Sequence, residues 1–369
     1  MKLVPTEEER DLRDSLRGLL ADHCPIGVVR GLREPGADRF PQALWEALAR
    51  AEVFALPFPE DVGGVGGGLP ELGVLAVECG RVLCPSVVRS TIGFGLAVDL
   101  LGDDALRGRL LPALCRGELR GTVALADPWD ASNVRPVLLA ERLPADRWQI
   151  RGAVPFVADA DLADLVVVTA IASDGTWLAA FVRPGDGVEL EPMPTTAGDR
   201  FSRLQIDVEV GPDDVLVSPA QADLLAVSLR LRALQCAEMV GGAEAVIDRT
   251  VDYTCGREQF GRPIASFQAA QHLVADLHIA VQAARLSSLS ALAALATGEA
   301  AVRPTAIAVM HTAPAYRRAT LDAHQLHGGM GYVIETDLHL WSEHARELGA
   351  LGGNADVATR WLEREVCGA

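Results

Sequence analysis

The sequence predicts an α+β protein in three parts: an N-terminal helical domain over 1–120, a middle β-sandwich or barrel domain over 121–218, and a C-terminal four-helix bundle over 219–369. Three observations carry this. Both ends repeat apolar residues at helical spacing, whereas the middle holds short β-branched or alternating runs punctuated by Gly, Pro and Asp. The 369 residues are too many for one small core and enough for two or three packed domains. A hydrophobic content of 49% with only 5% aromatics describes a core of Ala, Leu and Val, which suits closely packed helices.

Taken in order, the chain opens with Thr6 and Glu9, the spacing of a capping box, and then sets Leu12, Leu16, Leu19 and Leu20 on one helical face. Further helices are predicted over Pro41–Ala51, Pro70–Leu83 and Gly93–Cys115. The loop Pro59-Glu60-Asp61-Val62-Gly63-Gly64-Val65-Gly66 is glycine-rich. It lacks the preceding strand and the Lys-Ser/Thr of a phosphate loop, so it reads as a turn between helices. Strands are predicted at Thr122–Leu125, Trp148–Ile150, Leu165–Thr169, Trp177–Val182, Gly187–Leu190 and Phe201–Val210. Beyond Pro219 long helices return, with breaks near Arg262, Gly298–Arg303 and Gly328–Tyr332, which makes four helices.

A net charge of -17 argues against nucleic acid or an anionic membrane as partner, because both need a basic face. Seven cysteines without a C-x-x-C pair read as buried small hydrophobes in a reducing compartment. The charged start (Glu7, Glu8, Glu9, Arg10, Asp11) shows no signal peptide, and Arg or Asp interrupts every long apolar run. A cytoplasmic protein is the expectation. His272 with His278, and His339 with His344, are poorly spaced for a shared metal. The G-x-S-x-G elbow is absent.

Two stretches could carry ligand chemistry. In Arg257-Glu258-Gln259-Phe260-Gly261-Arg262-Pro263-Ile264, Gly261 and Pro263 break the helix and leave two arginines and an aromatic at a corner. Guanidinium groups grip phosphate oxygens bidentately; the alternative is a bundle hairpin with its charges in water. In Gln325-Leu326-His327-Gly328-Gly329-Met330-Gly331-Tyr332, three glycines let backbone approach a ligand and leave N–H groups free. On residues alone a plain glycine corner is as good a reading.

The corner closely resembles the signature of the acyl-CoA dehydrogenase family, and the helix–β–helix order resembles that family's layout over essentially the whole chain. Pro59-Glu60 with Gly63-Gly64 resembles its Pro-Glu-x-x-Gly-Gly loop. The resemblance implies that Arg257 and Phe260 touch the FAD diphosphate of a neighbouring subunit, and that Gln325, Gly328 and Gly329 contact its adenosine half. Gln268, Gln271, His272 and Asp276 match the helix after the corner and are expected to support packing. Asp199, Arg200, Ser202 and Leu204 resemble a strand entry and are expected to be structural.

The other half of the family's site is missing. Where it has Thr-Glu-Pro beside the flavin ring, this chain has Ala126-Asp127-Pro128, and the Gly-Ser-Asp that follows is degenerate at Asp130-Ala131-Ser132-Asn133. Its Trp-x-Thr matches Phe156-Val157-Ala158. Each lost hydrogen-bond partner would cost roughly 1–3 kcal/mol in a dry pocket. The family's base, which must reach the α-proton of a thioester, comes from one of two positions, held here by Gly352 and Leu231. No catalytic residue is therefore assigned. Glu238, Glu335, Glu343 and Glu347 read as solvated helix-face charges or bundle ion pairs.

The resemblance thus implies the non-basic subunit of a heteromeric acyl-CoA dehydrogenase, with FAD as cofactor, an acyl-CoA substrate, and a homologous subunit or a second copy as partner. The stretch from Glu335-Thr336-Asp337-Leu338-His339-Leu340 through Gly352 resembles short paralogues that act on bulky CoA esters such as steroid side chains. Two alternatives stay open: a homomeric flavoprotein of the same fold with oxidase or monooxygenase chemistry, and a flavin-free scaffold subunit.

Overall fold

The computed structural model describes residues 6–34, 40–298 and 301–367. Helix α1 (Glu7–His23) begins as its capping box dictates: Thr6 Oγ1 accepts from the Glu9 N–H and Glu9 accepts from the Thr6 N–H. Leu16 and Leu20 face the core. Helices α2 (Ile26–Arg33), α3 (Gln42–Arg50), α4 (Leu69–Val82), α5 (Ser86–Leu101) and α6 (Asp104–Cys115) follow. The stretch expected as one helix from Gly93 is two, because Asp103 caps a fresh start by accepting from the Leu106 N–H. The glycine-rich loop after α3 is indeed a turn. A β-carbon on Gly64 would lie 1.9 Å from the Phe58 carbonyl oxygen, so the loop is packed down and offers no phosphate cradle.

The β-domain consists of β1 (Gly121–Ala124), β2 (Leu138–Arg142), β3 (Trp148–Ala158), β4 (Leu165–Ala172), β5 (Trp177–Val182), β6 (Val188–Met193), β7 (Phe201–Val210) and β8 (Val215–Val217). They form one sheet in the order β6-β7-β3-β2-β4-β5-β8, with β1 pairing parallel to β4 beside β2. The register of β3 on β7 slips between Val154 and Val157. Phe156 sits at this bulge with φ of 54°, so the irregularity aims an aromatic ring rather than continuing the ladder.

The C-terminal part holds α7 (Gln221–Gly256), α8 (Gln268–Leu295), α9 (Val302–His327), α10 (Leu338–Ala350) and α11 (Ala355–Cys367). The fourth bundle helix runs in two pieces because Gly352 and Gly353 take φ of 68° and 103°. Of the break expected near Gly298–Arg303, residues 299–300 lie outside the described residues. One buried cluster runs from Leu16 of α1 to Trp361 of α11 and joins the helical parts to the near face of the sheet; a second lies on its other face. Five cysteines are buried as expected, whereas Cys255 and Cys367 are exposed. Among the described residues no helix is long and apolar enough to cross a membrane.

Candidate functional site

The corner between α7 and α8 is a two-strand hairpin, β9 (Glu258–Gln259) against β10 (Arg262–Pro263), with Phe260 and Gly261 at its tip. Both tip residues have positive φ, 54° and 78°, as a type I′ turn demands. A bulky residue in the left-handed region is strained, by roughly 1–2 kcal/mol. The Phe260 ring is nevertheless 94% exposed and meets only the edge of Phe267, 6.2 Å away between centroids. Arg262 stacks on the same Phe267 at 4.0 Å. Arg257 is exposed, and its side chain makes no hydrogen bond or ion pair among the described residues.

The structure brings this corner to the glycine turn. Tyr253, one helical turn before Arg257, stacks on His327 with centroids 4.2 Å apart and donates to the His327 carbonyl at 3.4 Å. His327 precedes Gly328, whose φ of 58° and ψ of -134° suit only glycine. Gln325, Gly328 and Gly329 are all exposed. His324 fixes the far side of the turn, pairing through Nδ1 with the Gly331 carbonyl (2.7 Å) and through Nε2 with Ser342 Oγ (2.6 Å). Tyr253 and His324 were invisible to motif reading, since nothing near them in sequence names their partners. Gln268, Gln271, His272 and Asp276, expected to support packing, are all exposed instead, because they lie on the outward face of α8; Gln271 donates to the Ala265 carbonyl and Asp276 pairs with Arg318.

A second feature is a cleft of about 160 Å³ between the β-domain and the bundle. Ala126, Phe156, Ala158, Leu231 and Gly352 all line it, so the two positions without an acid and the two without a hydroxyl face one space. The loop before β2 is latched over it. The Gly352 N–H donates to the Pro128 carbonyl at 2.6 Å, and the Ala131 N–H donates to the Gly352 carbonyl at 2.9 Å. From α11, Trp361 Nε1 donates to Asp130 at 2.8 Å and Arg364 reaches Ser132 at 3.0 Å. Beneath lies Arg232, 1% exposed, which donates to the Leu348 and Gly353 carbonyls and to Gln235 Oε1. A larger hollow of about 830 Å³ lies against β2, β4 and β8, where Arg142 is already paired with Asp146.

Charges converge at a third place, where all three parts meet. Glu238 of α7, 3% exposed, accepts from Arg89 of α5 at 2.5 and 2.7 Å and lies 3.2 Å from His344 Nε2 of α10. Burial would raise its pKa, but the charge of Arg89 and the contact with His344 outweigh that and hold it at about 2. Glu238 is thus a committed bundle ion pair, and so is Glu343 with Arg33; Glu335 is a solvated charge. Asp199 lies 3.7 Å from Arg89, and Arg200 pairs with Asp161, which fits their structural reading. Glu347 is neither solvated nor ion-paired as the sequence suggested. Burial and then repulsion from Asp199 lift it to about 8, although the Ala197 N–H donates to it. Asp159 accepts from Ser86 (2.8 Å) and Ser90 (2.5 Å), and burial followed by repulsion from Asp199 raises it to about 7.

These shifts fix how stability depends on pH. The raised carboxyls of Asp159 and Glu347 bind a proton more tightly in the folded state. Their stabilisation is complete below their ordinary values of 3.8 and 4.5 and is lost as pH rises through 7 and 8. The depressed Glu238 acts oppositely, stabilising above 4.5 and losing that as pH falls through about 2. Unfolding in urea is therefore expected to show a maximum near mildly acidic pH and a loss on the order of 2–4 kcal/mol towards pH 9. Asp159→Asn keeps an acceptor for one serine and should flatten that alkaline limb; an unchanged limb would assign it to other groups.

Comparison with known proteins places this geometry. The family model described as acyl-CoA dehydrogenase, N-terminal domain, matches residues 6–118, and that described as acyl-CoA dehydrogenase, C-terminal domain, matches 229–367. The chain is 31% identical over 367 residues to acyl-CoA dehydrogenase IpdE2 of Mycobacterium tuberculosis (strain ATCC 25618 / H37Rv), covering 99% of each. It is 29% identical to IpdE2 of Mycolicibacterium smegmatis (strain ATCC 700084 / mc(2)155) over 362 residues, covering 98% of this chain and 99% of that one. Among solved structures, the ChsE4-ChsE5 complex from Mycobacterium tuberculosis matches with a TM-score of 0.89 at 25% identity, covering 100% of both chains. A variant of the Tcur3481-Tcur3483 steroid ACAD matches at 0.88 and 27%, covering 98% of both. Its helical ends, its central sheet and its sequence together show that the chain belongs to the acyl-CoA dehydrogenase family of oxidoreductases acting on CH–CH bonds.

Proposed function

We propose that this chain is the non-basic subunit of a heteromeric acyl-CoA dehydrogenase. In this reading it supplies the diphosphate and adenosine half of an FAD site, while a homologous partner subunit cradles the flavin ring and carries the base. The observation that carries the reading is the exposed, strained Phe260 at a hairpin tip beside an unpaired Arg257, on a chain whose own cleft has Leu231 and Gly352 at the two positions from which the family's base comes.

The residues present fit one half of the cofactor and not the other. Arg257 would hold the diphosphate, Phe260 would cover it, and Gln325 with the backbone of Gly328 and Gly329 would meet the adenosine. The chain's own cleft, at about 160 Å³, falls short of the roughly 300–1,000 Å³ that a drug-sized ligand fills. Ala126 and Ala158 offer no hydroxyl, and Pro128 and Ala131 are tied to Gly352. Bound FAD would accept hydride from the β-carbon of an acyl thioester. The α-proton would meet no carboxylate at the two positions from which the family's base comes, because Leu231 and Gly352 occupy them. Two structurally similar proteins are described as pairs, ChsE4-ChsE5 and Tcur3481-Tcur3483, which supports a heteromer here. The second is described as a steroid ACAD, which supports a bulky, steroid-like CoA ester as the substrate class.

The test is the visible absorption of the purified chain, alone and co-expressed with a homologue that carries the missing glutamate. The lone chain is expected to stay colourless and the pair to be yellow. Bound flavin in the lone chain would overturn the split-site reading in favour of a homomeric flavoprotein, and a colourless pair would favour a scaffold subunit.

A further inference from the structure

Arg232 is a buried cation without a counter-anion. It is 1% exposed, no carboxylate lies within ion-pairing distance among the described residues, and its three partners are neutral oxygens. The negative end of the α10 dipole offsets the charge only in part, since two of those partners are carbonyls at that helix's end. Its Nε–H is buried and unpartnered. A buried unpaired donor on a charged group is expensive, and arginine cannot escape by losing its proton. The Nε faces the cleft wall, for a β-carbon placed on Gly352 would lie 3.5 Å from it. Thr122, 2% exposed, lines the same cleft and brings a hydroxyl to it. Gln235 also lines the cleft and spends its Oε1 on Arg232. Ala126, Phe156, Ala158 and Leu231 make much of the remaining wall apolar. Of its polar members, Asp127 accepts from the Trp129 N–H, Arg89 is paired with Glu238, and Ser90 and Ser228 donate to Asp159 and to the Ala131 carbonyl.

An unpaired cationic donor on the wall of a small, largely apolar chamber makes a chemical description of a ligand. We propose that this cleft binds a small organic monocarboxylate, its carboxylate against Arg232, Gln235 and Thr122 and its short hydrocarbon part among the alanines and Phe156. The volume of about 160 Å³ suits an aliphatic or single-ring acid and excludes a nucleotide. Such a ligand would bridge the β-domain and the bundle beneath the latched loop, and would supply the negative charge that Gly352 and Leu231 do not. The inference rests on Arg232 and its surroundings and does not depend on how the hairpin corner is used.

The experiment is isothermal titration of the purified full chain with butyrate and with benzoate in chloride-free buffer, and with chloride as control. Saturable heat is expected for the two acids and not for chloride. Losing a charge-assisted hydrogen bond corresponds to about a tenfold loss of affinity or more, so Arg232→Met should weaken both acids at least that far. Because Arg232 also ties down α10, a second variant is needed. Ala158→Phe fills the chamber with Arg232 left in place, and it too should abolish the heat. No saturable heat with either acid in the parent chain overturns the proposal, as does equal binding by the Ala158→Phe variant. Saturation by chloride that matches the acids would reduce the site to a simple anion hole and overturn the assigned ligand class.

Discussion

Phe260→Asn is expected to leave the isolated chain within about 1 kcal/mol of the parent, or above it, while stripping flavin from the reconstituted pair. The two halves of this result have separate causes. At φ of 54° a phenylalanine is strained, whereas Asn followed by Gly261 is the preferred pair for such a turn. The ring contributes little to its own chain, being 94% exposed with one edge contact to Phe267. Strain retained where it gives the fold nothing points to a use outside the fold. Arg257→Ala should act in the same direction with no strain to relieve. A lost charge-assisted contact of about 1.5–3 kcal/mol is on the order of 10–100-fold in cofactor affinity. The measurement is the ratio of visible to ultraviolet absorption after gel filtration, beside urea unfolding of each lone variant. A pair that keeps its flavin in both variants would remove the corner from the site.

Glu238→Ala should be the most damaging single change in the bundle, costing about 3–5 kcal/mol. Its carboxylate answers Arg89 and His344 at once, and Nδ1 of that His344 contacts the Tyr316 hydroxyl at 3.2 Å. Without it, Arg89 keeps only Asp199 at 3.7 Å, and a buried histidine loses its partner. Glu238→Gln preserves shape and one acceptor and should cost visibly less. Urea midpoints at neutral pH decide the matter. A loss below about 1 kcal/mol for the alanine variant would mean the junction behaves like a solvated surface pair.

How much of this was written in the sequence depends on the range of the interaction concerned. The capping box at Thr6 and Glu9, the strands Trp177–Val182 and Phe201–Val210, and the long bundle helices were legible, because each rests on neighbours within a few residues. Helix α2 carries little signal, being eight residues behind Pro25 with two glycines, Gly27 and Gly31. Strand β2 was hidden because alternate residues are exposed and prolines flank it. The hairpin at the corner could not be read, since its turn carries Phe where Asn or Gly is the signal. The acid junction lies at the far end of the scale. Glu238 is 149 residues from Arg89 and 106 from His344, so its helix shows one more glutamate and nothing of its partners. The corner's motif was found by wording, but its nearness to the glycine turn rests on Tyr253 and His327, which carry no signature.

The latch over the cleft bears on stability as well. Residues 128–132 are held by Gly352, by Trp361 and Arg364 of α11, by the Ser228 hydroxyl of α7 on the Ala131 carbonyl, and by the Trp129 ring against Phe156. The loop and α11 therefore share part of their stability: fraying of α11 removes the ties to Asp130 and Ser132, and lifting of the loop costs α11 the same ties. The cleft's rim is thus braced in part by a thirteen-residue helix more than two hundred residues away in sequence, so a local change at that helix would be felt at the cleft.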